Sequence, residues 1–254
     1  MVTEIQTEKF IKKDDVLGNC KSYHIEKSKC NFPDCETQIN NFCNEQMELI
    51  RTKDIPGIKK SQRKFKKKLK YFSRKDRNLW DAINFGIKKS TGEIICILNS
   101  NDIFYKDTLS IANKYFNDFN LDYLFGAIKK NKIFYKFEPE KLNYRLNIYP
   151  SHSCSFFIKK KIHKKIGLYN IRYDYCSDYD LFYKLFRNRR LKGMNTKKNE
   201  VFGKFNMHGI SSKVPFYKFY YYEMKIRYDN GQNLIYLIFL YPIKILNKIR
   251  NIFN

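Results

Sequence analysis

The sequence predicts an α/β domain, strands flanked by helices, followed by a helical and basic C-terminal segment. Three observations predict it. Between Ser73 and Asp102 a polar loop leads into an amphipathic stretch, a Thr-Gly stop, a nearly all-apolar run and a polar end. From Tyr71 onward, apolar runs alternate with stretches of helical period. Near the end, the apolar run Leu234–Ile243 is followed by Lys244, Lys248 and Arg250.

The elements follow in order. Leu79, Ile83 and Ile87 recur at four-residue steps and make one face of a helix. Thr91-Gly92 is expected to end it, with Gly92 in the left-handed position after the last turn. Glu93–Leu98 is too short for a helix and suits a parallel strand buried on both faces. Lys106–Phe116 carries Leu109, Ala112 and Phe116 at helical steps. Leu121–Ile128 and Lys132–Phe137 read as strands joined by a turn at Lys130-Asn131. Lys159–Ile166 is a short basic helix stopped by Gly167, and Ser177–Arg189 is another, with Leu181, Phe182, Leu185 and Phe186 inward. Ser177 stands three residues before Asp180, the spacing of a capping box. Asp178 then falls in the first turn, where the helix dipole favours an ionised carboxylate.

Composition bounds the function. A chain of 254 residues can bury a full core, and 43% apolar with 17% aromatic content argues against disorder. Lys and Arg number 50 against 25 Asp and Glu, a formal charge of +25 that would attract nucleic acid, an anionic membrane or an acidic substrate. The excess is spread along the chain, as biased codon usage and a solvated surface would leave it. Met1–Asp15 is polar and charged, unlike a signal peptide, and the seven cysteines are odd in number. The expectation is a reducing, cytoplasmic setting with most thiols free. No run is long enough to span a bilayer; Leu234–Ile243, interrupted by Pro242, suits a core helix or one lying in a membrane interface.

Three segments are expected: 1–70, 71–215 and 216–254. The first shows no clear apolar strand and no Gly-rich turn. Its Cys20, Cys30, Cys35 and Cys43, with His24 between them, could hold zinc, although the paired Cys-x2-Cys knuckle is missing. Lys59–Lys70 is nearly continuous Lys and Arg, either solvated or tracking a phosphate backbone or lipid surface. The chain has no Gly-x-Ser-x-Gly, Walker loop, Gly-x-Gly-x-x-Gly or His-Glu-x-x-His, which removes support for acyl hydrolases, P-loop NTPases, dinucleotide dehydrogenases and zincins. Open α/β sheets bind ligands beyond the carboxyl ends of their strands, so Asn99-Ser100-Asn101-Asp102 is the first candidate site.

Two separated blocks carry a resemblance. The first holds Asp76, Asp81, Ala82, Asn84, Gly86, Thr91-Gly92-Glu93, Asn99, Ser100 and Asp102. The second holds His152, Phe156-Phe157, Lys159, Gly167-Leu168, Tyr173, Ser177–Leu181 and Gly209–Ser212. In order and spacing they resemble the inverting family-2 glycosyltransferases of the GT-A fold, a mixed sheet flanked by helices, over roughly residues 71–215. Asn78 stands where that family has glycine, and Asn101 where it has the first aspartate of its acidic pair.

The resemblance implies transfer of a sugar from a nucleotide donor, a UDP-sugar, to a hydroxyl on a glycan, lipid-linked or protein acceptor. Asp178 would be the catalytic base, with His152 and Asp180 on the acceptor side. Asp76, Asp81, Asn99, Asn101 and Asp102 would seat the nucleotide, and Asp102, Asn101 and His208 would hold Mn²⁺ or Mg²⁺ against the diphosphate. Because Asn101 offers a neutral oxygen, weaker metal binding is expected. Two alternatives stand beside this reading: a transferase fold that has lost catalysis, and a basic nucleic-acid-binding protein, which leaves the ordered motifs around Asp102 and Asp178 unexplained.

Overall fold

The computed structural model describes residues 2–9, 21–26, 69–98, 102–145, 147–204 and 214–253. Asn99, Asn101, His208 and the four cysteines of the expected zinc site lie outside them. The described strands form two sheets. The first runs β10-β6-β9-β4-β1-β2-β3, with β1 Val2–Lys9, β2 Lys21–Glu26, β3 Leu69–Ser73, β4 Ile94–Ile97, β6 Tyr123–Phe125, β9 Phe156–Lys159 and β10 Gly193–Asn195. The second runs β5-β11-β7-β8, with β5 Ile103–Phe104, β7 Ala127–Lys129, β8 Ile133–Phe134 and β11 Val201–Lys204. Helices α1 Leu79–Lys89, α2 Thr108–Phe119, α3 Lys160–Ile166 and α4 Ser177–Arg187 accompany the sheets, and α5 Phe216–Asp229 and α6 Leu234–Phe253 close the chain. The mixed sheet flanked by helices is the expected α/β architecture.

The first segment departs from expectation. Where no strand was legible, β1 pairs parallel with β4, and β2 pairs antiparallel with both β1 and β3. Val2–Lys9 offers only Val2 and Ile5 as apolar residues, too few for a hydrophobicity-based reading. β4 itself is therefore mixed in its pairing, parallel to β1 on one edge and antiparallel to β9 on the other.

The core follows the strand period. Along β4 and the residue after it, Ile94, Cys96 and Leu98 join Leu109, Ala112, Phe116, Leu124, Phe157 and Phe202. Ile95 and Ile97 turn the other way, joining Ile83, Ile87, Phe125, Phe156, Ile158, Ile162 and Phe182. Alternation along one strand thus fills two layers, one under α2 and the other under α1, α3 and α4.

Three local expectations are corrected. The stop of α1 is Ser90, not Gly92: Ser90 is extended (φ −64°, ψ 145°), its N–H donates to Gly86 O at 2.9 Å and its hydroxyl to Ile87 O at 2.8 Å. Gly92 lies outside the left-handed region. The run Leu121–Ile128 is split at Gly126, where a Cβ would stand 2.0 Å from the Phe202 ring, so β6 and β7 enter different sheets. The capping box at Ser177 does not form: the N-cap is Cys176, and the buried Ser177 hydroxyl has no hydrogen-bond partner among the described residues. Gly167 does stop α3, at φ +90°, as expected. The run Leu234–Ile243 extends through Pro242 into the 20-residue α6.

Helix α1 is tied to the segment that leads into α4. Asn78 caps α1 by accepting from Asp81 N at 3.1 Å, and its amide donates to Ile171 O at 2.9 Å, which gives a use for asparagine at the family's glycine position. Trp80 Nε1 donates to Asp174 O at 3.0 Å, and its ring stacks on Tyr169 with centroids 5.1 Å apart. Asn84 is bonded twice to one residue: its amide donates to Tyr169 O at 2.7 Å and its oxygen accepts from Tyr169 N at 2.9 Å.

At the far side of α4, the buried Arg227 of α5 donates to Tyr179 Oη (2.6 Å), Gln232 Oε1 (2.7 Å), Arg145 O (2.7 Å) and Leu142 O (3.0 Å). Asn84→Ala removes both of these hydrogen bonds at a buried position and is expected to cost about 2–3 kcal/mol of stability, read as a lower denaturation midpoint in urea with an unchanged slope.

Candidate active site

The register of β9 builds the site. Cys96 of β4 pairs with Phe157 of β9 and Phe125 of β6 with Phe156, so the carboxyl end of β4 faces the entry to β9. Asp102 follows β4, and His152 and Cys154 precede β9, Cys154 within a single helical turn at Ser153–Ser155. That turn is held by Ser155 N to His152 O at 2.9 Å, Ser155 Oγ to His152 O at 3.0 Å, and the Ser151 and Ser155 hydroxyls 2.8 Å apart. A carboxylate oxygen of Asp102, a ring nitrogen of His152 and the Cys154 sulfur lie within 4.8 Å of one another. Asp102 and Cys154 are buried and His152 half-buried. The Cys154 thiol is bonded to Asp102; burial first, then that carboxylate, hold its pKa far above the ordinary thiol value. Burial, then the charge of Lys130, push His152 down to about 3, so its ring is neutral.

Lys130 comes from the turn between β7 and β8, where its N–H bonds Lys132 O at 3.0 Å. Burial lowers its pKa, and the nearby Cys154, Asp102 and Asp178 draw it back up. One ammonium thus lies in the field of both sequence blocks. Asp178, in the first turn of α4, accepts on Oδ1 from the Tyr149 hydroxyl at 3.1 Å and from Tyr179 N at 2.9 Å. Burial nonetheless pushes its carboxyl up to about 6, against the lowering effect of the Tyr149 hydroxyl, these backbone bonds and Lys130.

Asp76 and Asp81 form a second cluster after β3. Arg74 bonds Asp76 Oδ1 and, at 2.8 Å, Asp81 Oδ2; Arg77 reaches Asp81 through its N–H (3.2 Å) and guanidinium (3.3 Å). Asp76 keeps its buried Oδ2 without a hydrogen-bond partner among the described residues. Burial raises its pKa, only partly offset by Arg74. For Asp81, burial is outweighed by the bonds from Arg77 and the charges of Arg74 and Arg77, and its pKa falls.

Asp180 is not gathered with Asp178. It is buried, two residues and about 200° further round the helix, and bonded to Lys184 Nζ at 2.5 Å and Asn230 Nδ2 at 2.8 Å. Its carboxylate therefore braces α4 against α5. Of the expected residues, the structure brings Asp102 and His152 together, and Asp178 shares with Asp102 only the field of Lys130. Sequence reasoning missed Lys130, Tyr149 and Cys154; only the His-x-Cys spacing of 152 and 154 offered a signal.

Residues 52–179, half of the chain, match the family described as Glycosyl transferase family 2. The chain belongs to that family. An uncharacterized glycosyltransferase of Rickettsia typhi is 28% identical over 137 residues, 47% of this chain and 42% of that protein. One of Rickettsia conorii is 29% identical over 140 residues, 47% of this chain and 22% of that protein. The match thus spans less than half the length of these relatives. Among solved structures, S. aureus TarS 1-349 aligns at TM-score 0.42 and 15% identity over 59% of this chain and 44% of that one; its complex with UDP gives 0.42 and 16%.

In this family member the Tyr149 bond works to keep Asp178 ionised. Tyr149→Phe is expected to raise the Asp178 pKa above about 6, read by carbon NMR titration of the side-chain carboxyl, with Asp178→Asn assigning the signal.

Proposed function

We propose that this chain transfers a sugar from a UDP-linked donor to a hydroxyl acceptor with inversion, Asp178 serving as the base. The observation that carries the reading is that Asp178 and Asp102 share the field of Lys130 although they come from separate blocks. The acceptor O–H gives its proton to the Asp178 carboxylate as its oxygen attacks the anomeric carbon, and the bond to the nucleoside diphosphate breaks on the opposite face. Lys130 stabilises negative charge developing on the departing phosphate, in a site dry enough to strengthen the interaction. Asp76, whose buried Oδ2 has no hydrogen-bond partner among the described residues, accepts from the donor's base or ribose, and His152 borders the acceptor side.

A divalent cation supplies further counter-charge to the diphosphate when bound. Asp102 would hold such an ion through its carboxylate, and His152 and Cys154 add nitrogen and sulfur donors within reach of Asp102.

Asp178→Asn is expected to lower kcat by about 10²–10⁴-fold. Because the base acts when ionised, wild-type activity should fall as pH drops through about 6. Calorimetric titration with UDP, with and without Mn²⁺, tests the donor side; binding that survives unchanged in Asp102→Ala speaks against the assignment. UDP binding without turnover of any UDP-sugar would favour a transferase fold that has lost catalysis.

We also propose that the enzyme works on an anionic membrane surface. No helix among the described residues is long and apolar enough to cross a membrane. Yet α6 exposes Leu234, Ile235, Ile238, Phe239, Ile243 and Leu246, Phe239 at 66%. Its inner side is held to α5 by buried Leu237, the Tyr220–Tyr241 ring contact and the Lys244–Glu223 ion pair. An apolar face on a chain of charge +25 complements anionic lipid. Ile235→Glu with Phe239→Glu is expected to abolish sedimentation with phosphatidylglycerol vesicles. Concentration-dependent dimerisation lost in the same variant, with no vesicle binding, would assign the face to a second copy instead.

A further inference from the structure

We infer that Cys154 makes the cation site of this chain a thiolate site, selecting a borderline ion such as Zn²⁺ over Mg²⁺. The inference deepens the transferase reading and rests on it only for the site's role.

The argument begins with donor chemistry. Mg²⁺ takes oxygen ligands in near-ideal octahedra, whereas imidazole and thiolate suit zinc and its neighbours. The described donors are one oxygen, one nitrogen and one sulfur, from Asp102, His152 and Cys154, already within 4.8 Å of one another. Zinc bonds of about 2.0–2.3 Å place tetrahedral ligands roughly 3.5 Å apart, a contraction that side-chain rotation can supply. Three protein donors leave a fourth position for water or a phosphate oxygen, as in open zinc sites.

The binding step is balanced: the metal displaces the thiol proton, which leaves to solvent, and the sulfur lone pair becomes the metal bond. The carboxylate of Asp102 holds that thiol, so the two donors already face each other.

The test uses Co²⁺ as a spectroscopic stand-in for Zn²⁺, in the full chain with Cys20, Cys30, Cys35 and Cys43 replaced by serine so that only the buried thiols remain. A thiolate-to-cobalt charge-transfer band is expected, displaced by stoichiometric Zn²⁺ and not by millimolar Mg²⁺. Cys154→Ser, nearly isosteric, should abolish the band and weaken Co²⁺ at least about tenfold, the loss that even an outer-shell partner causes. Asp102→Asn should weaken binding while the band persists at saturation, and thermal melts establish that each variant folds. Co²⁺ bound without a sulfur band, a band unchanged in Cys154→Ser, or equal competition by Mg²⁺ would overturn the inference. UDP binding is read separately by calorimetry: a thiolate band in a chain that binds no UDP keeps the metal site and removes the donor reading.

Discussion

The antiparallel insertion of β9 between β4 and β6 is the constraint on which the site depends. A strand running against its neighbours brings its entry, not its exit, to the end of the sheet where β4 finishes. Asp102 therefore meets residues some fifty positions later, and the ladder bonds fix that meeting to within one residue. A slip by one position would turn Phe156 and Ile158 out of one core layer and Phe157 out of the other. The apolar cost of such a slip is what keeps the polar residues in register.

The second constraint is the seam between α1 and the 169–174 segment. Asn78, Trp80 and Asn84 each spend a side-chain group on a backbone atom of that segment. The segment leads directly into α4, so the seam sets where Asp178 begins its helix. Family positions that look like ligand contacts in a motif are here partly joinery: Asn84 holds Tyr169 by both of its backbone groups.

Much of this was legible where the signal is local. The face of Leu79, Ile83 and Ile87, the buried run before Asp102, the Gly167 stop and the inward side of α4 follow from periodicity and glycine chemistry. What failed was decided by non-local contact or by a one-residue offset. Ser90 displaced Gly92 as the helix stop because a serine in the right place satisfies the same carbonyls. Cys176 rather than Ser177 opens α4, so the capping box had no turn to close. Gly126 breaks a run that looked continuous because Phe202, far along the chain, needs its space. Lys130, Tyr149 and Cys154 lie in unremarkable sequence and become neighbours of Asp102 or Asp178 only through strand register and helix packing. Val2–Lys9 escaped notice because a strand can be specified by its pairing partners with little apolar signature of its own.

Arg227 has a consequence for how the molecule comes apart. A guanidinium buried among carbonyls, an amide and a phenol, with no carboxylate bonded to it among the described residues, depends on those acceptors staying in place. Peeling the last two helices away would strip the tyrosine next to Asp178 of its partner and leave backbone oxygens of 142 and 145 bare. The C-terminal hairpin is thus a keystone rather than a tail. Proteolytic trimming there would reach Asp178 through its neighbour Tyr179, which Arg227 holds.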